Sequence, residues 1–393
     1  MPKSGFTAAL VRIAPCLFTH HKSLVLVVCW PFKTRTSMPV GPTALTMNSF
    51  SPVDIVYLWV DGDDTQWRSR RRLALQQLKF ADHVDMAAYS NVEGRFRDND
   101  ELRYSLRSLE QFFPGHGHVY LVTDRQTPTW LRRHPGLTVI DHRELMPECA
   151  LPNFDSGNIE SYIHLIPGLS ERYIYFNDDV FLGAPLDLKK WFFEGGVYVG
   201  WSDDAPVSDV ALQPGSTALE NACRRSIAWL RHDAALSANL PYVGDFRTFA
   251  HAPRPMLKSV MLALEGIAPE LFSSVRSTVF RSWEHPTLVS DFVLRWSLLH
   301  GFAKVRDYRF SHVSTGAHDA DAALQDIAQR FGGIDFFCVN DTTDDADSED
   351  PRLSTARSVL AAMLQTPSSF EKLEGAGMSA AQNASTWHLE AAG

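Results

Sequence analysis

Signature phosphate loops are missing from this 393-residue chain. No GxGxxG follows the first strand-like run and no GxxxxGK(S/T) occurs anywhere, which removes the dinucleotide fingerprint and the Walker loop. Cysteine is scarce: Cys16, Cys29, Cys149, Cys223 and Cys338 form no CxxC pair and no zinc-like His/Cys spacing. That argues against a disulfide framework or a structural zinc and favours a reducing cytoplasm. A formal charge of −9 excludes a general nucleic-acid binder, which needs basic patches to neutralise phosphates. No acidic residue precedes Asp54, although Lys3, Arg12, Lys22, Lys33 and Arg35 do. Residues 1–50 therefore read as a basic extension outside the fold, or as a start assigned ahead of Met38 or Met47. Long apolar runs are lacking too. The run over 23–32 is bounded by Lys22 and Lys33 and broken by Pro31, too short for the ~20 residues of a membrane helix. No small-residue cleavage site follows it.

What is present is an ordered alternation. Residues 53–60, 117–124 and 137–141 read as strands, with helical periods over about 67–77 and 100–113 and a short helix expected at 127–131. Strand, helix, strand, helix, strand implies an α/β core with a mostly parallel sheet, and such half-domains cradle nucleotides. Leu102, Leu106, Leu109 and Phe113 form one helical stripe. Asp98 with Glu101 three residues on resembles a capping box. Past residue 183 the pattern changes to an aromatic-rich, turn-rich stretch and a helix from 218 to about 238, an inserted lobe over 184–250. Strands are expected over 304–310 and 335–340 and a helix over 351–364, with a disordered tail in the last twenty residues.

The organising stretch is 172–183 (RYIYFNDDVFLG). It reads as a buried strand that delivers Asp178 and Asp179 to its end, where open α/β sheets bind ligands and where carboxylates can hold Mg²⁺ on a diphosphate. Asn-Asp-Asp also turns chains well, so a plain turn is the competing account. Arg103 and Arg107, one turn apart, offer two guanidinium groups to one anion or form a solvated basic face. Glu160 and His164 at i, i+4 share a helical face suited to proton transfer, or to a surface pair. His251, Arg254 and Lys258 crowd the entry to a helix expected after two prolines, a place that favours phosphate.

Five blocks carry a resemblance: 54–62 (DIVYLWVDG), 95–110 (RFRDNDELRYSLRSLE) through 120–123, 151 through 176–183 (FNDDVFLG), 251–256 (HAPRPM), and 337–341 (FCVND). In that order they resemble the Stealth family of hexose-1-phosphate transferases, over most of 53–345. The resemblance implies a Rossmann-like, GT-A-type core. It also implies transfer of hexose-1-phosphate, an N-acetylhexosamine-1-phosphate in the first instance, from a UDP-sugar to a sugar hydroxyl of a capsular or exopolysaccharide, with release of UMP. Asp155, Gly157 and Arg125 depart from the family's usual residues and bear on acceptor or sugar preference.

Physical reading and resemblance then agree on roles. Asp178, Asp179 and Asp341 are expected to hold Mg²⁺ or Mn²⁺. Arg103, Arg254 and Arg281 are expected on phosphoryl oxygens, with Lys258 nearby. His251 or His285 would take the acceptor's proton, while Asn99, Asp100 and Glu101 would bind donor-sugar hydroxyls, with Glu160 and His164 beside the substrate. Partners are the UDP-sugar and an oligosaccharide or polysaccharide acceptor, handled in the cytoplasm or peripherally at the inner membrane. A glycosyltransferase releasing UDP and a non-catalytic polysaccharide-binding module stay open as alternatives.

Overall fold

The computed structural model describes residues 52–80, 86–232, 245–347 and 349–372; the basic extension and the tail expected from the sequence lie outside them. In chain order the strands are β1 (Asp54–Leu58), β2 (Val119–Thr123), β3 (Leu137–Asp141), β4 (Arg172–Asn177), β5 (Val180–Leu182), β6 (Phe192–Phe193), β7 (Gly196–Val199), β8 (Arg254–Leu257), β9 (Ala303–Val305), β10 (Phe310–Ser314) and β11 (Phe336–Asn340). The helices are α1 (Thr65–Phe80), α2 (Glu101–Phe112), α3 (His142–Leu145), α4 (Ser156–Glu160), α5 (Ala218–His232), α6 (Lys258–Ile267), α7 (Pro269–Arg276), α8 (Val293–Leu299), α9 (Ala320–Arg330) and α10 (Pro351–Met363).

β1, β2 and β4 are apolar without alternation and buried almost end to end, as strands covered on both faces must be. They form a sheet in the order β3-β2-β1-β4-β8, in which β3, β2, β1 and β4 run parallel and β8 runs antiparallel to β4. The chain leaves β1 toward β2 and β3 on one side and returns to β4 on the other. Strand order thus reverses between β1 and β4, the place where an open α/β sheet parts to admit a ligand. The Leu102, Leu106 and Leu109 stripe of α2 is fully buried, with Phe113 just beyond it, and α2 packs on β5; each such side chain contributes about 1.5–3 kcal/mol of burial.

Two smaller sheets complete the set. β11 lies between parallel β10 and antiparallel β5, and β7 lies between antiparallel β6 and parallel β9. Asp178 and Asp179 form the turn from β4 to β5, so they join the large sheet to the β10-β11-β5 sheet. Among the described residues no helix is long and apolar enough to cross a membrane.

Several local expectations give way. Residues 127–131 form a turn-containing loop and not a helix. The 251–258 segment enters a strand, β8, before α6 begins at Lys258, because main-chain pairing with β4 is available to Arg254–Leu257. The 304–310 stretch divides between β9 and β10. Helix α5 ends at His232 within the described residues. No capping box joins Asp98 to Glu101. Asp100 precedes α2 at φ 65°, Asp98 Oδ1 accepts from Asp100 N (3.0 Å) and Glu101 Oε2 from Asn99 N (2.5 Å).

Candidate active site

A cleft of about 350 Å³ opens at the strand-order reversal, bordered by Leu58, Trp59 and Val60 after β1 and by Asn177, Asp178 and Asp179 after β4. Strand register fixes both edges: Leu58 pairs with Asn177, and Val339 N donates to Asp179 O at 3.0 Å. Glycine lets a third segment close in. Gly94 N donates to Thr343 O (2.8 Å), and a Cβ on Gly94 would lie 2.5 Å from Asp341 Oδ1, so any larger residue would push the 93–97 turn away from Asp341.

The wall formed by Asp178 and Asp179 is strongly acidic. Burial, then the charge of Asp179, pushes Asp178 well above the usual carboxylate range. Burial would do the same to Asp179, but His251, the Cys338 thiol and His312 outweigh it and hold this carboxyl below its ordinary value. Asp179 Oδ2 accepts from Cys338 Sγ at 3.3 Å, while Oδ1 is buried without a hydrogen bond, 3.6 Å from His251 Nε2. Glu101 is raised by burial, then by Asp98 and Asp178, and Asp98 is pushed to about 7 by burial and Asp100. Crowded, partly desolvated carboxylates of this kind suit a hard divalent cation.

Arginines face the same space. Arg95 Nη2 and Arg281 Nη2 both donate to Ser156 Oγ, at 3.3 and 2.5 Å, and both Nε atoms are buried without a hydrogen bond. Burial, then the neighbouring Arg281 charge, lowers Arg95 to about 9. Two guanidinium groups on one neutral hydroxyl keep donors for a phosphate-type anion.

Behind the acids runs a chain of hydrogen bonds. Tyr175 Oη lies 3.0 Å from Glu160 Oε1 and 2.6 Å from Asn177 Oδ1, and Asn177 Nδ2 lies 2.7 Å from His251 Nε2. Burial, then Glu160, raises the Tyr175 phenol well above its ordinary value, so it remains a donor. With Oδ1 facing Tyr175, the Asn177 amide presents Nδ2 to His251 and sets the imidazole's acceptor nitrogen.

Residues 51–79 match the family model described as Stealth protein CR1, conserved region 1, and residues 95–199 match Stealth protein CR2, conserved region 2. An exopolysaccharide phosphotransferase of Streptomyces coelicolor is 34% identical over 329 residues, 82% of this chain and 33% of that protein. The chain belongs to the Stealth family. Exopolysaccharide phosphotransferase CpsY of Mycobacterium tuberculosis is 31% identical over 327 residues, 82% of this chain and 58% of the relative. Capsular polysaccharide phosphotransferase LcbA of Neisseria meningitidis is 37% identical over 198 residues, 49% and 52%. This Stealth chain therefore spans 33–58% of the length of these curated relatives. Among solved structures, galactosyltransferase LgtC with donor and acceptor sugar analogues gives a TM-score of 0.37 at 10% identity, covering 80% of this chain and 98% of that one. The bifunctional glycosyltransferase WbbM gives 0.41 at 10% identity, covering 80% and 50%.

Of the residues singled out from the sequence, Glu101, Asp178, Asp179, His251, Arg281 and Asp341 line the Stealth cleft. The others stand elsewhere. Asn99 is buried behind Glu101, with Nδ2 2.9 Å from Glu101 Oε1 and 3.3 Å from Asp341 Oδ2, and Asp100 ends the turn into α2. Glu160 sits under Tyr175, and Arg254 is buried in the field of Glu160, Tyr175 and Asp291. Lys258 lies at the other end of β8, its Nζ 3.3 Å from Leu169 O, so a strand separates the three cations that a helix start would have clustered. The anion that Arg103 and Arg107 share is the chain's own Glu371. Between Glu160 and His164 the helix breaks, and buried His164 turns to Glu265 instead (2.8 Å). His285 binds Ser274 Oγ on α7 at 2.7 Å, outside the cleft lining. Asp341 reaches the cleft with its lone pairs engaged: Arg97 and Asn99 on Oδ2, Thr315 and Thr343 on Oδ1.

Arg95, Ser156, Tyr175 and Asn177 were not singled out as site residues. Their motifs were visible, but the partners of Arg95 and Asn177 lie 61 and 74 positions away in sequence, beyond any spacing rule.

Proposed function

We propose that this cleft transfers hexose-1-phosphate, with N-acetylhexosamine-1-phosphate the first choice, from a UDP-sugar to a hydroxyl of an oligosaccharide or polysaccharide, releasing UMP. The observation that carries the reading is the union, in one cleft, of an arginine pair sharing Ser156 with an aspartate pair beside His251. The names of the relatives, exopolysaccharide and capsular polysaccharide phosphotransferases, support the reaction class.

In this reading Arg95 and Arg281 bind the diphosphate oxygens and keep the phosphorus next to the sugar in place as charge develops on it. The acceptor oxygen forms a bond to that phosphorus, the bond from phosphorus to the bridging oxygen breaks, and UMP departs with the bonding pair. His251, the histidine candidate that lines the cleft, receives the acceptor's proton at Nε2, giving up there the hydrogen bond it accepts from Asn177 Nδ2 in the resting site. Asn177, held by Tyr175, orients its ring.

Mg²⁺ or Mn²⁺ fits the acidic wall. Asp179 keeps a buried oxygen without a hydrogen bond beside the strongly raised Asp178, and these two residues would hold the ion. Asp341, already saturated with donors, fits that role poorly. Bound there, the ion would neutralise diphosphate charge. We place the enzyme where such acceptors are built, in the cytoplasm or peripherally at the inner membrane.

The decisive experiment supplies UDP-sugars labelled at the sugar-proximal phosphorus, Mg²⁺ and an oligosaccharide. UMP release with label in the saccharide supports the proposal. Label leaving as UDP refutes it and makes the protein a glycosyltransferase.

A further inference from the structure

Beyond the acidic wall lies a donor set of different chemistry. In the parallel pairing of β10 with β11, His312 stands directly opposite Cys338, so both side chains rise from one face of that sheet. His251 approaches from the loop before β8, its ring centroid 5.8 Å from that of His312. One ligand atom from each of His251, His312 and Cys338 falls within 4.8 Å of the other two. Asp179 closes the group: Oδ2 is 3.3 Å from Cys338 Sγ, and Oδ1, buried and without a hydrogen bond, is 3.6 Å from His251 Nε2.

We propose that His251, His312 and Cys338, with Asp179 as a fourth ligand, form a binding site for a soft divalent cation of the Zn²⁺ class. Two imidazole nitrogens, one thiolate and one carboxylate are a zinc-type donor set, whereas Mg²⁺ demands oxygen. Ligand separations of this size need side-chain adjustments of about 1 Å to reach bonds of roughly 2.0–2.3 Å. His312 is exposed on the edge strand β10 and free to make its share. Binding displaces the thiol proton that Cys338 now gives to Asp179, and that proton passes to solvent. Sequence spacing could not show the site, because the ligands come from four separate segments.

One consequence rests on the proposed transfer reaction. The ion would hold His251 and Asp179 together, so Zn²⁺ would inhibit turnover. The site itself is tested without turnover.

The chelator-treated full chain is dialysed against Zn²⁺ with millimolar Mg²⁺ present, and Co²⁺ is titrated separately as an absorbing stand-in. One equivalent of tightly held Zn²⁺ and a thiolate-to-cobalt absorption band are expected. Cys338→Ser should remove the band, and His312→Asn, at an exposed position that leaves the fold intact, should weaken Zn²⁺ binding about 10- to 100-fold. No bound zinc in the parent chain, or binding unchanged in both variants, overturns the proposal.

Discussion

Replacing Glu371 with glutamine tests whether the C-terminal segment is a structural clamp. Glu371 is 2% exposed and accepts from Arg103 Nε (2.6 Å), Arg107 Nε and Nη2 (both 2.7 Å) and Ser368 N (2.8 Å). Burial opposes ionisation, but the hydrogen bonds from Arg107 and Arg103 prevail and lower the carboxyl from 4.5 to about 2. A shift of that size is worth about 3 kcal/mol at pH 7. Because the folded value is the depressed one, this stability is complete above pH 4.5 and fades as pH falls toward 2, leaving about 2 kcal/mol at pH 3.5. Urea unfolding of the parent and Glu371→Gln should therefore differ by at least about 3 kcal/mol at pH 7 and by less at pH 3.5. A gap below about 1 kcal/mol at neutral pH, or one that does not narrow in acid, refutes the reasoning. Arg103→Ala separates the clamp from a ligand role: it should lower stability while KM for the donor stays at the parent value.

Arg95→Met should leave stability unchanged or higher, since it relieves repulsion with Arg281, yet weaken UDP binding about 10- to 100-fold by calorimetry; unchanged UDP affinity would count against the diphosphate site. Asp179→Asn should abolish divalent-dependent turnover with only a small change in stability, because relief of Asp178 offsets the interactions lost with His251 and Cys338. Asp341→Asn should instead cost about 2–3 kcal/mol in urea unfolding through its bonds to Arg97 and Thr343, and equal stability of the two variants would contradict this division. His164→Gln, which breaks the pairing with Glu265 outside the cleft lining, should lower the melting temperature but not kcat.

The central strands were legible because their physics is local. Unbroken apolar runs such as 54–58 and 119–123 announce strands buried on both faces, and the α2 stripe announces its own buried side. Segment 251–258 was misjudged because its proline and cation pattern suits a helix start, whereas its structure is decided by β4 alongside it. Strand pairing is a non-local gain, and no property of HAPRPML by itself contains it. The 98–101 turn failed for the opposite reason: several short polar side chains can each bond the nearby backbone, and local rules do not rank them.

Site residues divide along the same line. Asp178 and Asp179 were legible because a strand end fixes their place at the cleft. Arg103 shows the converse: its spacing to Arg107 allowed either a shared anion or a solvated basic face, and the chain itself supplies the anion 268 residues later as Glu371. Composition cannot distinguish a ligand's carboxylate or phosphate from an internal carboxylate, since both satisfy the same guanidinium fork. What distinguishes Arg95 and Arg281 is that they meet on a neutral hydroxyl, with Asp155 ion-paired to Arg281 at 3.6 Å but no carboxylate hydrogen-bonded to either guanidinium. Two guanidinium groups held close together beside an acid pair are the feature on which the proposed diphosphate site rests.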